Sequence, residues 1–567
     1  MKVSISWLKQ LVDCKLSPQE LANMLSLRAV GVKEITPDYI ELDLTYNRGD
    51  LLSLRGVARE IAAITGSTLK FQDSSQLDTK LPKTTVKIED ETLSEVQCSA
   101  KIEGLKVEPS PEEWIKKLSD CGMRSVNNIV DVTNFIMLEF GQPLHGFDAE
   151  ALKDETIIVR NAREGEQLAT LDGKLRKLST QDIVLADTEK PLDVAGIMGS
   201  KDTEVTDSTT EILLSASMFN PVMVRRTANR LGLHSEASKR FQHGLTKTNL
   251  RQALSAAIKM YEELGGKLTA ITLTGDLDDK PKTITLNQEK VNSLIGINVP
   301  PEQVEKSLQS LGFHLKRTGV NVNHLEGGLA WHVSFPYWRL DINIEEDLIE
   351  EVARMYGYEK IPPQALRGKL PEKLDQTLQQ FIYDLKVALK DAGLTEVQTY
   401  SFYSSKVINN LQLPVNKLVK IANPISSETR YLRNNLWPNL IEVVGKNLKQ
   451  GFKDIAIFEI GKVYSPARNA STSVAGGPKK GELPNENYHL AIALMNGSDN
   501  PVTELFSFAN SLKIAGASGI LGNSTLFHPT RITNNMAEVH PRVLNKFGID
   551  KRVAILAIAI DELISPS

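Results

Sequence analysis

Six acids fall within eleven residues, from Asp341 to Glu351, in the stretch YWRLDINIEEDLIEEVARMYGYEKIP. If residues 344–356 form a helix stopped by Gly357, then Asp347, Glu350 and Glu351 share an arc of about 100°. Leu348, Val352, Met355 and Tyr356 take the opposite arc and face a core. Asp341 stands at the end of the strand before the helix. Two chemistries suit this pattern. One is a solvated acidic face, in which Glu350 and Arg354 pair for about 0.2–0.5 kcal/mol and acids near the N-terminus favour the helix dipole. The other is a hard divalent cation, Mg²⁺, held by carboxylates from one helical face and one strand end. Three like charges this close repel one another unless a cation or a partner's base compensates them.

A second group of reactive side chains lies in VDVTNFIMLEFGQPLHGFD, which carries Thr133, Asn134 and His145. A single histidine in such a stretch is usually structural. The basic segment RRTANRLGLHSEASKRF suits either nucleic-acid phosphates or internal ion pairs. GGPKKGE at 476–482 looks superficially like a phosphate loop, but it lacks the Gly-Lys-Ser/Thr ending and a following helix.

The elements that must position these residues read as α+β throughout. SPQELANMLSL is a helix with Ser17 capping and Glu20 three residues on, and SLRGVAREIAAIT is another; DYIELDLTYN between them alternates like a strand. ETIIVRNAREGEQLATLDGKLRKLS is a strand followed by a turn at Leu171–Asp172–Gly173. TNLRQALSAAIKMYEELGG and PPEQVEKSLQSLGF are amphipathic helices, LAWHVSFP a strand. Beyond the Pro-rich KIPPQALRGKLPEK, helices such as QTLQQFIYDLKVALKDAG alternate with the strands DIAIFEIGKVY, ENYHLAIALMN and RVAILAIAI. SPARNASTSVAGGPKKGELPNEN is expected to be a mobile loop. These breaks divide the chain into segments 1–80, 95–275, 282–362 and 372–567.

The 567 residues are 41% hydrophobic and 24% charged, with net charge −4. That composition fits several ordinary globular domains and carries no global basic field for nucleic acid. Cys14, Cys98 and Cys121 are too scattered for a disulfide framework or a zinc site, which fits a reducing cytoplasm. No run of about 18 apolar residues argues for a membrane span.

The acidic stretch closely resembles a segment of the β-subunit family of bacterial-type phenylalanine–tRNA ligases. MKVSISWLKQLVD, LDLTYNRGDLLSLRGVAREIAAITG, NNIVDVTNFIMLEFGQPLHGFD, AGIMG and NPISSETRYLRNNLWPNLIEVVGKNLKQG resemble the same family in the same order. The resemblance implies an N-terminal α/β domain, a B3/B4 editing-type domain, a B5 domain with the acidic helix, and a class II synthetase catalytic-like domain without chemistry of its own. It implies that Asp341, Asp347, Glu350 and Glu351 bind a Mg²⁺ shared with an α subunit, and that the α subunit aminoacylates tRNA(Phe) with ATP in an α2β2 tetramer. The RYLRNNLWPNLIEVVGKNL helix would then offer surface to that subunit; an internal core helix is the alternative.

The family's pocket hydrolyses tyrosine wrongly attached to tRNA(Phe). Carried over, its positions are Arg124, Thr133, Asn134, His145, Gly196, Gly199, Ser235 and Ala237, with Ser215 standing where the family has a Glu that helps recognise the tyrosine hydroxyl. The glycines are expected to let the ester approach the backbone. The shorter, uncharged Ser215, and RFQHG (Gln242, His243) in place of RFERG, predict weakened editing. The family's inserted oligonucleotide-binding barrel is replaced by Thr36 and Pro37, and its C-terminal anticodon-binding domain is not present in this sequence. A free-standing tRNA deacylase and an inactive tRNA-binding scaffold are the competing functions.

Overall fold

The computed structural model describes residues 1–72, 77, 80–318, 328–365, 368–369, 375–466, 483–497, 499–511, 527–533 and 535–564. The expected mobile loop lies outside the described residues over 467–482, as does the GGPKKGE stretch. The chain divides into two compact units, Met1–Ala365 and Leu366–Ser567, and both mix helices with sheets.

The first unit begins with a three-stranded sheet in the order Lys2–Ser4, Tyr39–Asp43, Gly31–Ile35. Where the family's barrel would enter, Thr36 closes a tight turn: its hydroxyl donates to the Tyr39 carbonyl and accepts from the Tyr39 amide, both at 3.0 Å. The helix Pro18–Arg28 carries the capping box read from the sequence, with Ser17 and Glu20 exchanging hydrogen bonds. The helix Leu54–Thr65 is capped by Ser53, and at Gly56 a Cβ would lie 2.0 Å from the backbone oxygen of Asp50. Backbone cannot swing aside as a side-chain tip can. Gly56→Ala is therefore expected to cost about 1–3 kcal/mol, checked by urea denaturation.

Next, two sheets pack face to face. One is antiparallel, in the order Lys267–Gly275, Ser94–Glu103, Glu211–Phe219, Leu144–Asp148; the other runs Met198–Gly199, Pro191–Val194, Ile183–Ala186, Thr156–Asn161, Thr85–Ile88. Strand periodicity sorts their side chains. Ile212, Leu214 and Ala216 join the apolar cluster with the helices Asn128–Phe140 and Lys247–Glu263. Leu213 and Phe219 turn to the opposite cluster, with Phe147 and Val194. The third part, a three-stranded sheet in the order Thr283–Asn287, Ala330–Ser334, His314–Thr318, supports the acidic helix Glu345–Tyr356. Leu348 and Val352 are fully buried there, and Met355 and Tyr356 pack on the same cluster.

In the second unit, six strands run Thr395–Glu396, Ile455–Ser465, Asn485–Met495, Ala554–Ala559, Met536–Val539, Phe527–Thr533, all antiparallel except the first pair. Alternate residues feed two clusters. Ala491, Ala493, Ile555 and Ala557 pack with the helix Trp437–Lys449, while Leu490, Ile492, Leu556 and Ile558 pack with Thr377–Asp391 and Pro501–Ser511. Buried Arg433 and Glu459 pair at 2.6 Å, and Thr399 donates its hydroxyl to the same carboxylate at 2.7 Å.

Candidate functional site: a buried charge row and an inter-sheet cavity

The acidic stretch is balanced by arginines. Arg48 forks onto Asp50 at 2.9 and 2.7 Å and reaches Glu60 at 2.6 Å. Arg354 grips the same Glu60 at 2.8 and 3.0 Å and turns to Glu351 at 2.9 and 2.5 Å. Arg339 contacts Glu351 at 2.5 Å and forks onto Asp341 at 2.9 and 2.8 Å. The side chains in this row are at most 7% exposed. Three guanidiniums thus alternate with four carboxylates. Burial works to raise the Glu351 carboxyl, but Arg339 and Arg354 outweigh it and hold the group far below the ordinary carboxylate range; Arg48 and Arg354 lower the Glu60 carboxyl against its own burial.

This arrangement revises two expectations. Arg354 pairs with Glu351 and Glu60 rather than with Glu350. And the four expected magnesium ligands are not presented together. Asp341 and Glu351 spend their oxygens on guanidiniums, and Asp347 accepts the amides of Asn343 and Ile344 at 2.7 and 2.9 Å, closing the helix N-terminus. Glu350 is exposed. Among the described residues no group of three or more His, Cys, Asp or Glu side chains is disposed to hold a metal. As a four-ligand cage the set does not fit a cation, because the compensating charge is already supplied from within the chain. Sequence reading overlooked Arg48, Glu60 and Arg339; the signal lay in NRGD, AREIAA and WRLD, where arginine stands two residues from, or next to, an acid.

The second site is a cleft of about 70 Å³ between the two packed sheets. His145, Gly196, Gly199, Ser215 and Ala237 line it, together with Asp193, Phe219 and Phe241. Ser215 sits directly opposite His145 in the ladder, so both side chains rise from one face. The Ser215 hydroxyl accepts from the Gln97 amide at 2.9 Å, and Gln97 in turn accepts from Ser217 at 2.6 Å. His145 packs edge-on to Phe147 at 4.4 Å, and burial lowers its pKa to about 4. Its Nε2 finds no hydrogen-bond partner among the described residues.

The glycines serve the rings around them. A Cβ on Gly199 would come 2.7 Å from His145 Cε1 and Nε2, and one on Gly196 would come 2.8 Å from Phe241 and 3.0 Å from Phe219. Gly196 also has φ +70°, where a side chain is strained.

Four of the carried-over positions do not line the cleft. Arg124 is exposed, Thr133 donates its hydroxyl to the Val130 carbonyl at 2.7 Å within its helix, and Asn134 is half-buried on that helix. Ser235 lies just behind the wall, donating to the carbonyl of Ile197 at 2.8 Å while it caps the next helix. Gln242 and His243 are not among the lining residues: His243 stacks on Tyr46 at 4.5 Å, and the Tyr46 hydroxyl donates to the Gln242 carbonyl at 3.0 Å. The basic segment divides. Arg240 is buried against Glu236 and the Leu52 carbonyl, and Arg230 pairs with Asp182; Arg225 and Arg226 are exposed. In the second unit, Trp437, Leu440, Ile441 and Val444 of the helix Trp437–Lys449 face the core.

All three cysteines are free and buried, and no helix among the described residues is long and apolar enough to cross a membrane. Residues 95–266 match the B3/4 domain, 284–358 the tRNA synthetase B5 domain, and 361–507 the phenylalanyl tRNA synthetase beta chain CLM domain. A relative from Moorella thermoacetica is 37% identical over 91% of this chain and 65% of its own. One from Geobacter sulfurreducens is 34% identical over 95% and 68%, and one from Carboxydothermus hydrogenoformans 39% identical over 76% and 54%. Each is named phenylalanine–tRNA ligase beta subunit, and this chain spans about two thirds of the length of the first two. By this identity over nearly all of its length, the chain belongs to the phenylalanine–tRNA ligase beta subunit family.

Proposed function

We propose that the chain is the non-catalytic β subunit of a cytoplasmic phenylalanine–tRNA ligase. Its α subunit joins phenylalanine to tRNA(Phe) with ATP, and two copies of each chain assemble. The observation that carries this reading is the succession of three family segments on one chain. The division into 1–80, 95–275, 282–362 and 372–567 is part of the proposal. The catalytic-like sheet supports it, since helix-packed apolar clusters cover both of its faces and leave the reaction to the partner.

The inter-sheet cleft is assigned the hydrolysis of Tyr-tRNA(Phe). It joins apolar walls with a few polar groups, the usual character of a ligand site. Arg124, Thr133 and Asn134 belong to this proposal only if tRNA draws them to the cleft, and Ser235 supports the wall. A free-standing deacylase is the second reading, favoured by the same cleft. Co-purification separates the two. The first reading expects a catalytic α chain in equal amount; a lone, fully active hydrolase would overturn it.

Magnesium is retained for Asp347 and Glu350 alone, since a hydrated Mg²⁺ needs only one or two carboxylates. Because arginines balance the buried acids, EDTA is expected to leave the melting temperature of the isolated chain unchanged within error. A clear fall would show a cation already built into the fold.

A further inference from the structure

Asp193 stands in PLDVAGIMG on the strand Pro191–Val194, between two fully buried apolar residues. It is 6% exposed, it lines the inter-sheet cleft, and its Oδ1 has no hydrogen-bond partner among the described residues. In the ladder it lies opposite Gly199, the residue whose missing side chain makes room for His145. The same cleft therefore holds two buried polar atoms without a partner among the described residues, Asp193 Oδ1 and His145 Nε2. A buried polar group without a partner is costly, and its retention inside a cavity points to a partner that arrives with a ligand. The rest of the wall narrows that ligand. Leu185, Ile197, Met198, Phe219 and Phe241 are apolar and suit an aromatic ring. Ser215, where the family's Glu would stand, is already bonded to Gln97.

We propose that Asp193 determines specificity in this cleft, its carboxyl hydrogen-bonding the phenolic hydroxyl of a bound tyrosyl group in place of the carboxylate absent at position 215. Burial pushes the Asp193 carboxyl well above the usual range, against an opposing effect from the Met198 amide. The inference rests on the reading of the cleft as an aminoacyl-ester site. It does not require that the cleft hydrolyse what it holds.

The test uses the full chain with two hydrolysis-resistant probes, the 3′-amino-linked amides of adenosine with tyrosine and with phenylalanine. Calorimetric binding is expected to favour the tyrosyl probe by at least about tenfold, since a polar group built to meet a hydroxyl discriminates against its absence. Asp193→Ala is expected to abolish that preference while leaving phenylalanyl binding within about twofold. Asp193→Asn removes the cost of burying the acid but keeps a hydrogen-bonding group in place; it is expected to melt about 2–4 °C higher and to retain the preference, and an unchanged phenylalanyl affinity in Asp193→Ala shows that its lost preference is not unfolding. Equal binding of the two probes by the wild type, or a preference that survives Asp193→Ala, overturns the proposal. If the preference appears and depends on Asp193 while the complex fails to hydrolyse Tyr-tRNA, the hydrolytic reading falls and this one stands.

Discussion

Arg354→Ala is expected to lower the unfolding free energy by about 3–5 kcal/mol, because it leaves Glu60 and Glu351 buried with half their compensating charge gone. The neighbouring Glu350→Gln, on the exposed side of the same helix, is expected to stay within about 0.5 kcal/mol of wild type. Urea denaturation of the two variants separates a charge row that holds the fold from an acidic face that merely solvates it. Acid titration gives the same answer by another route. The Glu351 carboxyl is held far below its ordinary value of 4.5. A depressed carboxyl contributes stability that is complete above that ordinary value and disappears as pH falls through the folded-state value. Wild type should therefore lose stability as pH drops below about 4.5, and Arg354→Ala should show a shallower acid limb. Equal limbs would place the charge balance elsewhere.

The other large effect is expected at Gly199. An alanine methyl there would overlap the His145 ring, 2.7 Å from Cε1 and Nε2, and the ring has Phe147 against it at 4.4 Å. The imidazole must shift by a good part of an ångström, and displacements of that size in a catalytic constellation cost about 100-fold. Gly199→Ala is expected to lower Tyr-tRNA(Phe) hydrolysis by that factor while Phe-tRNA formation by the complex stays within about twofold. Unchanged hydrolysis would remove His145 from the reaction.

The elements around both sites were legible because local signals agreed with the fold. Ser17 and Glu20 formed the box their spacing announced, and Gly357 ended the acidic helix with φ +107°. The acidic residues were legible as a group, but their partners were not. Arg48 and Glu60 are roughly three hundred residues from Arg354 in sequence, and only the packing of the helix Leu54–Thr65 against the acidic helix brings them together. Periodicity put Glu350 and Glu351 on one arc; burial separates them, since Glu351 is drawn inward by two guanidiniums while its neighbour remains in solvent. The cleft was half legible. His145 and the two glycines could be read from their motifs, whereas Asp193 belongs to no motif. Its sign was an acid inside a strand of otherwise buried residues, which tells nothing until the opposing sheet is in place. Gly196 and Gly199 line the cleft, and the structure gives them a different reason from close ester approach: they accommodate the rings of His145, Phe219 and Phe241.

The most direct test of the account is Phe-tRNA formation by a catalytic α chain assayed with and without this chain at equal concentration. The account expects the α chain alone, and this chain alone, to charge tRNA(Phe) at background, and the purified complex to charge it at a rate typical of a synthetase. Charging by this chain unaided, or an α chain equally active without it, would contradict the assignment.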